Sequence, residues 1–160
     1  MVILQPSVGI IIHMEILIEK SQDDARRLMR GWGLAEREGE QVLARLVRDR
    51  FIDDGRYAEA FVRDKLRLSG WGEYKIRTAL QRKRIDRELI DAALAQADRQ
   101  DMAGRLRQQL ERKMRTTRHT TQYELKTKLI RYGLSLGYDY ETVLDSAAAL
   151  VTDTETCDEF

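Results

Sequence analysis

The chain has 160 residues, 42% apolar and 34% charged, with one proline and ten glycines. That is apolar enough for a packed core and excludes wholesale disorder, while the scarcity of Pro, Gly and Phe argues against a loop-dominated β domain. The net charge of +1 hides a segregation: residues 55–132 hold 20 Lys/Arg against 10 Asp/Glu, and residues 133–160 hold seven acidic side chains and no basic one.

Residues 1–22 read as a non-helical arm. The run from Val2 to Ile18 is β-branched and broken by Pro6 and Gly9. It lacks the basic lead and small-residue cleavage site of a signal peptide, and holds no unbroken apolar run of about 18 residues to span a membrane. It is expected to be extended or disordered, or to reflect an upstream start with Met14 as initiator. With no address in the chain, the expected location is the cytoplasm.

From Ser21 onward the pattern is helical. Ser21 reads as an N-cap before Ala25, Leu28 and Met29, and Gly31-Trp32-Gly33 as the stop. Val42, Leu43, Leu46 and Val47 form the next stripe. Asp53-Asp54 caps a helix with Tyr57, Ala58, Phe61, Val62 and Leu66 inward. After the Gly70-Trp71-Gly72 break come Ile76, Ala79 and Leu80, and then a helix starting at Asp86 with Leu89, Ile90, Ala93, Leu94 and Ala97. Met102, Leu106, Leu110 and Met114 mark a longer helix. Thr121-Gln-Tyr-Glu124 has capping-box spacing, and Asp139 opens the last helix through Val143, Leu144, Ala147 and Val151.

These helices recur. Leu28, Leu80 and Leu129 each precede a basic residue by two positions, and a period near fifty reads as a helical repeat. The expected class is all-α: tandem three-helix repeats in an elongated curved array behind a non-helical arm. The expected divisions are the arm at 1–22, an incomplete first repeat at 23–53, a second at 54–98, a third at 99–152, and an acidic tail at 153–160.

Catalytic signatures are missing. There is no phosphate-binding Gly-rich loop after a strand, no nucleophile elbow and no zinc-binding helix motif. The lone Cys157 lies among carboxylates that blunt its nucleophilicity, and His119 has no nearby carboxylate to orient it. The sequence reads as a binding protein without enzyme activity, cofactor or metal.

The positive block attracts phosphates or an acidic surface. Arg56, Arg63 and Arg67 recur at i, i+7 and i+11 on one helix side. Lys65 joins them, and Lys75, Arg77, Arg82, Lys83 and Arg84 load the next helix and its end. Arginine on an exposed helix face holds phosphate or carboxylate bidentately. Arg115 and Arg118, in a basic loop, form a second tier. Trp71 either stacks on a base or packs at the turn.

The run D-D-x-R-Y-A-E-x-F-V-R at 53–63 resembles the RecX family of small helical RecA regulators. So do I-x-x-x-L-x-x-K-x-I at 76–85, L-I-x-x-A-L at 89–94 and the closing Leu136-Gly-Tyr-Asp-Tyr-Glu-Thr-Val-Leu144. The likeness covers about residues 23–151. One departure is Arg84, where the family usually carries the glycine of a left-handed helix terminator; another is the arm standing where the first repeat's first helix belongs. The resemblance implies a negative modulator that lies in the groove of the RecA–single-stranded-DNA filament. There it would limit extension and inhibit strand exchange and RecA's ATP hydrolysis. It also implies a monomer that contacts DNA weakly and without sequence preference. A general helical DNA-binding module and a protein–protein adaptor with a basic surface remain the alternatives.

Overall fold

Most helices begin where a short polar side chain caps them. The computed structural model describes residues 19–155, with side chains to 152. Most of the expected arm and the end of the acidic tail lie outside the described residues. Helix α1 (Gln22–Gly31) opens on Ser21, whose Oγ accepts from the Asp24 amide at 3.2 Å. Helix α2 (Glu36–Arg48) follows Ala35 with no side-chain cap. Helix α3 (Asp54–Asp64) opens on Asp53, whose carboxylate accepts from the Arg56 amide at 3.0 Å, and runs on into a π turn at Lys65–Ser69. Helix α4 (Glu73–Arg82) starts at Gly72, and α5 (Arg87–Ala95) follows Asp86, in both cases without a side-chain cap bond. Asp98, Thr121 and Asp139 cap α6 (Arg99–Thr116), α7 (Gln122–Ser135) and α8 (Tyr140–Glu155). Each such cap is worth about 1 kcal/mol. The capping box is displaced by one residue. Glu124 accepts from the Thr120 amide and hydroxyl, at 2.9 and 2.8 Å, and not from the Thr121 amide. Lys128, and then these two donors, pull the Glu124 pKa down to about 2.

The stops show the repeat better than the apolar stripes do. Gly33, Arg84 and Gly137 all take left-handed backbone, with φ of 82°, 55° and 92°. Behind each, an amide reaches back five residues: Leu34 to the Met29 carbonyl, Ile85 to Leu80 and Tyr138 to Gly133. This is the Schellman ending, and it makes Met29, Leu80 and Gly133 equivalent. The expected equivalence of Leu28, Leu80 and Leu129 is therefore displaced by one residue in the first unit and by four in the third. The leucine pattern fails at Gly133 because Val143 fills its place: a Cβ there would lie 2.7 Å from Val143 Cγ1. The terminator backbone is kept at Arg84 although the residue is not glycine. Arg84→Gly is expected to stabilise the chain by about 1 kcal/mol, the strain of a β-carbon in left-handed backbone. Thermal denaturation should show a midpoint higher by about 2–4 °C.

Three separate cores follow the chain. Ala25, Met29, Leu43, Leu46 and Ile52 form the first, between α1 and α2. Ala58, Val62, Leu66, Ile76, Leu80, Ile85, Ile90 and Ala93 form the second, from α3 to α5. Leu106, Leu110, Leu125, Leu129, Val143, Ala147 and Leu150 anchor the third, from α6 to α8. Met102 packs against both the second and the third. The first core has no counterpart of α3 or α6 among the described residues. The fold is all-α, a tandem array of small helical units, with no strand among the described residues.

The two junctions differ in kind. Between the first and second units the contacts are polar: the Gln22 amide donates to Asp54 at 2.8 Å, Lys83 Nζ to Asp24 at 2.6 Å, and Arg84 pairs with Asp23 at 3.7 Å. Between the second and third, bonds also run from main chain to main chain. The Gly72 amide donates to the Leu136 carbonyl at 2.7 Å and the Tyr74 amide to Gly137 at 3.0 Å. The uncapped N-terminus of α4 is thus served by carbonyls at the C-terminal end of α7, and the two helix dipoles meet with opposite ends. Gly72 and Gly137 permit this approach. A Cβ on Gly72 would lie 2.5 Å from the backbone of Gly137, and one on Gly137 2.4 Å from Lys75 Cβ.

Candidate polyanion-binding surface

The structure separates the eleven cationic side chains marked by the sequence into three groups. Two are occupied within the fold. Arg77, on α4, pairs with Asp91 of α5 and with Glu73 one turn back. These carboxylates hold its pKa above the ordinary guanidinium value. Lys83 ties the end of α4 to Asp24 of α1. Burial is the largest single influence and pushes the Lys83 pKa down, but Asp24 and Tyr57 together outweigh it and the net shift is upward. Burial likewise pushes Asp24 up, and the bonds from Lys83 and Ser21 bring it below the usual carboxylate range. Both cations brace helices.

A second group is held in place but keeps its charge toward solvent. The Arg56 guanidinium donates to the Arg50 and Phe51 carbonyls at 3.2 and 3.3 Å, closing the end of α2. Lys65 lies 4.6 Å from the Trp71 ring centroid and 5.4 Å from that of Phe61. Lys75 is also 4.6 Å from the Trp71 centroid, and its Nζ donates to the Ser135 carbonyl at 3.3 Å. Arg84 stands beside Asp23 but is 83% exposed.

The third group is loosely held. Arg63 is exposed, with Asp64 at 3.8 Å. Arg67, Arg82, Arg115 and Arg118 are exposed and have no ion-pair partner among the described residues. Arg56, Arg63 and Lys65 share one open groove of about 660 Å³ with Tyr57, Phe61 and Leu68, whose rim also carries Asp53, Glu59 and Asp64. Arg67 leaves the expected regular helix, because the π turn at Lys65–Ser69 interrupts it. Arg115 and Arg118 stand apart: Arg118 is in the loop between α6 and α7, but Arg115 lies on the last turn of α6 and not in the expected loop, because the helix runs on to Thr116.

Trp71 answers to neither simple reading. It is half-buried, edge-on to Phe61 with centroids 6.4 Å apart, and it carries two ammonium groups. Sequence reasoning missed two further lysine-on-aromatic pairs, Lys83 over Tyr57 at 5.7 Å and, in the third unit, Lys113 over Tyr132 at 5.3 Å. The only signal for the Lys113 pair was the basic excess of residues 101–132. Among the described residues there is no group of side chains fit to hold a metal ion, and no helix long and apolar enough to cross a membrane.

Comparison with known proteins matches two of the three units. The second three-helix domain of RecX matches residues 53–94 and the third matches residues 100–145, together more than half of the chain. The regulatory protein RecX of Clostridium botulinum (strain Eklund 17B / Type B) is 33% identical over 97 residues, 59% of this chain and 45% of that protein. That of Serratia proteamaculans (strain 568) is 33% identical over 104 residues, 65% of this chain and 60% of its own length. The chain thus spans about half the length of the curated relatives it matches. The crystal structure of RecX from Lactobacillus salivarius shares the fold at a TM-score of 0.75 and 18% identity, over 88% of this chain and 93% of that one. Two consecutive RecX domains, each enclosing its own core and abutting through matched helix ends, place this chain in the RecX family of regulatory proteins.

Proposed function

We propose that the protein is a negative modulator of the RecA recombinase. It binds the RecA–single-stranded-DNA filament, limits its extension, and so inhibits strand exchange and RecA's ATP hydrolysis. It acts in the cytoplasm as a monomer, with no cofactor and no catalytic step of its own. Membership of the RecX family carries this reading. The fold supports it: a stack of separate units offers repeated contacts to a repeating partner, and several weak contacts on one rigid body add up to firm binding. Arg56, Arg63, Lys65, Arg67, Lys75, Arg82 and Arg84 form the central contact surface, and Arg115 and Arg118 the outer one. Arg77 and Lys83 serve it by holding the helices.

ATP hydrolysis by the cognate RecA on single-stranded DNA, titrated with this protein, tests the reading. Inhibition is expected well below one molecule per RecA protomer. The double reversal Arg63→Glu/Arg67→Glu should abolish it with helicity unchanged, since neither guanidinium joins one helix to another. Arg77 is left out because its reversal would set three acidic groups together. Full-strength inhibition by the double variant would overturn the assignment of these residues, and an inert wild-type protein would overturn the function.

A further inference from the structure

We propose that the Gly70–Gly72 turn, at the joint of the second and third units, is a phosphate-binding site for single-stranded DNA. Lys65 and Lys75 supply the charge there and Trp71 acts as their holder. The inference rests on the reading above for the identity of its ligand.

Two ammonium groups stand equally close to one indole, so they can be no further apart than twice their 4.6 Å distance from its centroid. Neither has a carboxylate partner among the described residues. A cation on an indole face is attracted by the ring's electron-rich surface, which holds the side chains without neutralising them. What is left is a pair of like charges within the span of one phosphodiester or two successive ones.

The backbone is shaped to make this pair. The π turn carries the Trp71 amide back to the Lys65 carbonyl at 3.1 Å, so that indole and ammonium meet although six residues apart. The other lysine is fixed from across the joint, by the Ser135 carbonyl at the end of α7. On the far side of the turn, Gln109 packs on Gly70, where a Cβ would meet its Nε2 at 2.1 Å, and accepts from Tyr132 Oη at 3.3 Å. Tyr132 in turn carries Lys113. The joint is therefore flanked by cations seated on aromatic rings, and the ligand it fits is a chain of phosphates. The ring of Trp71 is occupied by lysines, so bases are not read, and binding follows the backbone without sequence preference.

The test uses binding of the free protein to a fluorescent (dT)20 strand, followed by anisotropy over a range of salt. Each cation neutralising a phosphate of a single strand contributes about 0.7 to the log–log salt slope. Lys65→Met/Lys75→Met keeps the apolar stems on the indole and should lower the slope by about 1.4. In a Trp32→Phe background Trp71 is the sole tryptophan, and its emission should change along the same isotherm. Circular dichroism confirms that each variant is folded. An unchanged slope in the double variant, or a wild-type protein that does not bind the strand at 50 mM salt, overturns the site; an unresponsive Trp71 in the folded Trp32→Phe protein does so too. RecA inhibition by the wild-type protein is scored separately. Inhibition with an unchanged slope removes this site and leaves the function, whereas a reduced slope without inhibition does the reverse.

Discussion

Gly137→Ala is expected to destabilise the chain by about 3 kcal/mol, and to do so at the joint of the second and third units. Two effects combine. The new β-carbon would sit in left-handed backbone at φ 92°, a strain of about 1 kcal/mol. It would also lie 2.5 Å from the Lys75 nitrogen and 3.0 Å from its Cα, atoms that cannot turn aside as the tip of a side chain could. Overpacking of this kind costs about 1–3 kcal/mol, and relief by separation breaks the bonds from Gly72 and Tyr74. Trp71 lies at this joint, so in the Trp32→Phe background its emission should change at lower urea than helicity does. Gly104→Ala is the control: it stands within α6 with open space around its Cβ and should leave stability equal or higher. Equal stability of the Gly137 and Gly104 variants would show that the joint is not close-packed.

Leu80→Ala should have the largest effect of any single core truncation, about 3–5 kcal/mol. Leu80 is fully buried in the second core, and deleting a buried leucine side chain leaves a cavity costing about 2–5 kcal/mol. Its position in the array sets it above the equally buried Leu129. The second unit gives Lys83, Arg84 and Asp54 to one neighbour, and Gly72, Tyr74 and Lys75 to the other. In a stack held by nearest-neighbour contacts, loss of the middle member uncouples both ends. Urea denaturation followed at 222 nm should show Leu80→Ala losing all helicity in one early transition. Leu129→Ala should lose the third unit first and keep the helicity of the others. The same early, complete loss in both variants would mean that the three cores melt as one.

The helix starts were legible because caps are local. Ser21, Asp53, Thr121 and Asp139 each act on an amide three residues away, within reach of a reading by pattern. Inter-unit equivalence was less legible because the residues at matching positions, Met29, Leu80 and Gly133, differ in size according to what packs on them. At Gly133 that is Val143, a neighbour only the fold reveals. The π turn had no local signal, since it ends on a turn held by Gln109 and by Arg105, which reaches the Leu66 and Arg67 carbonyls. The basic block was visible, but its division was not. Arg77 and Lys83 look like their neighbours in sequence, and the partner that occupies Lys83 lies 59 residues away.

The joint where α4 meets α7 carries a consequence for how such chains diverge. Two of its direct bonds run between peptide groups, which every residue but proline supplies on both sides, and the third, from Lys75, also ends on a peptide carbonyl. Most side chains around it can therefore drift without breaking the hydrogen bonds between peptide groups that join the units, while the two glycines whose bareness lets the peptides touch cannot. A joint written in main chain is inherited with the fold.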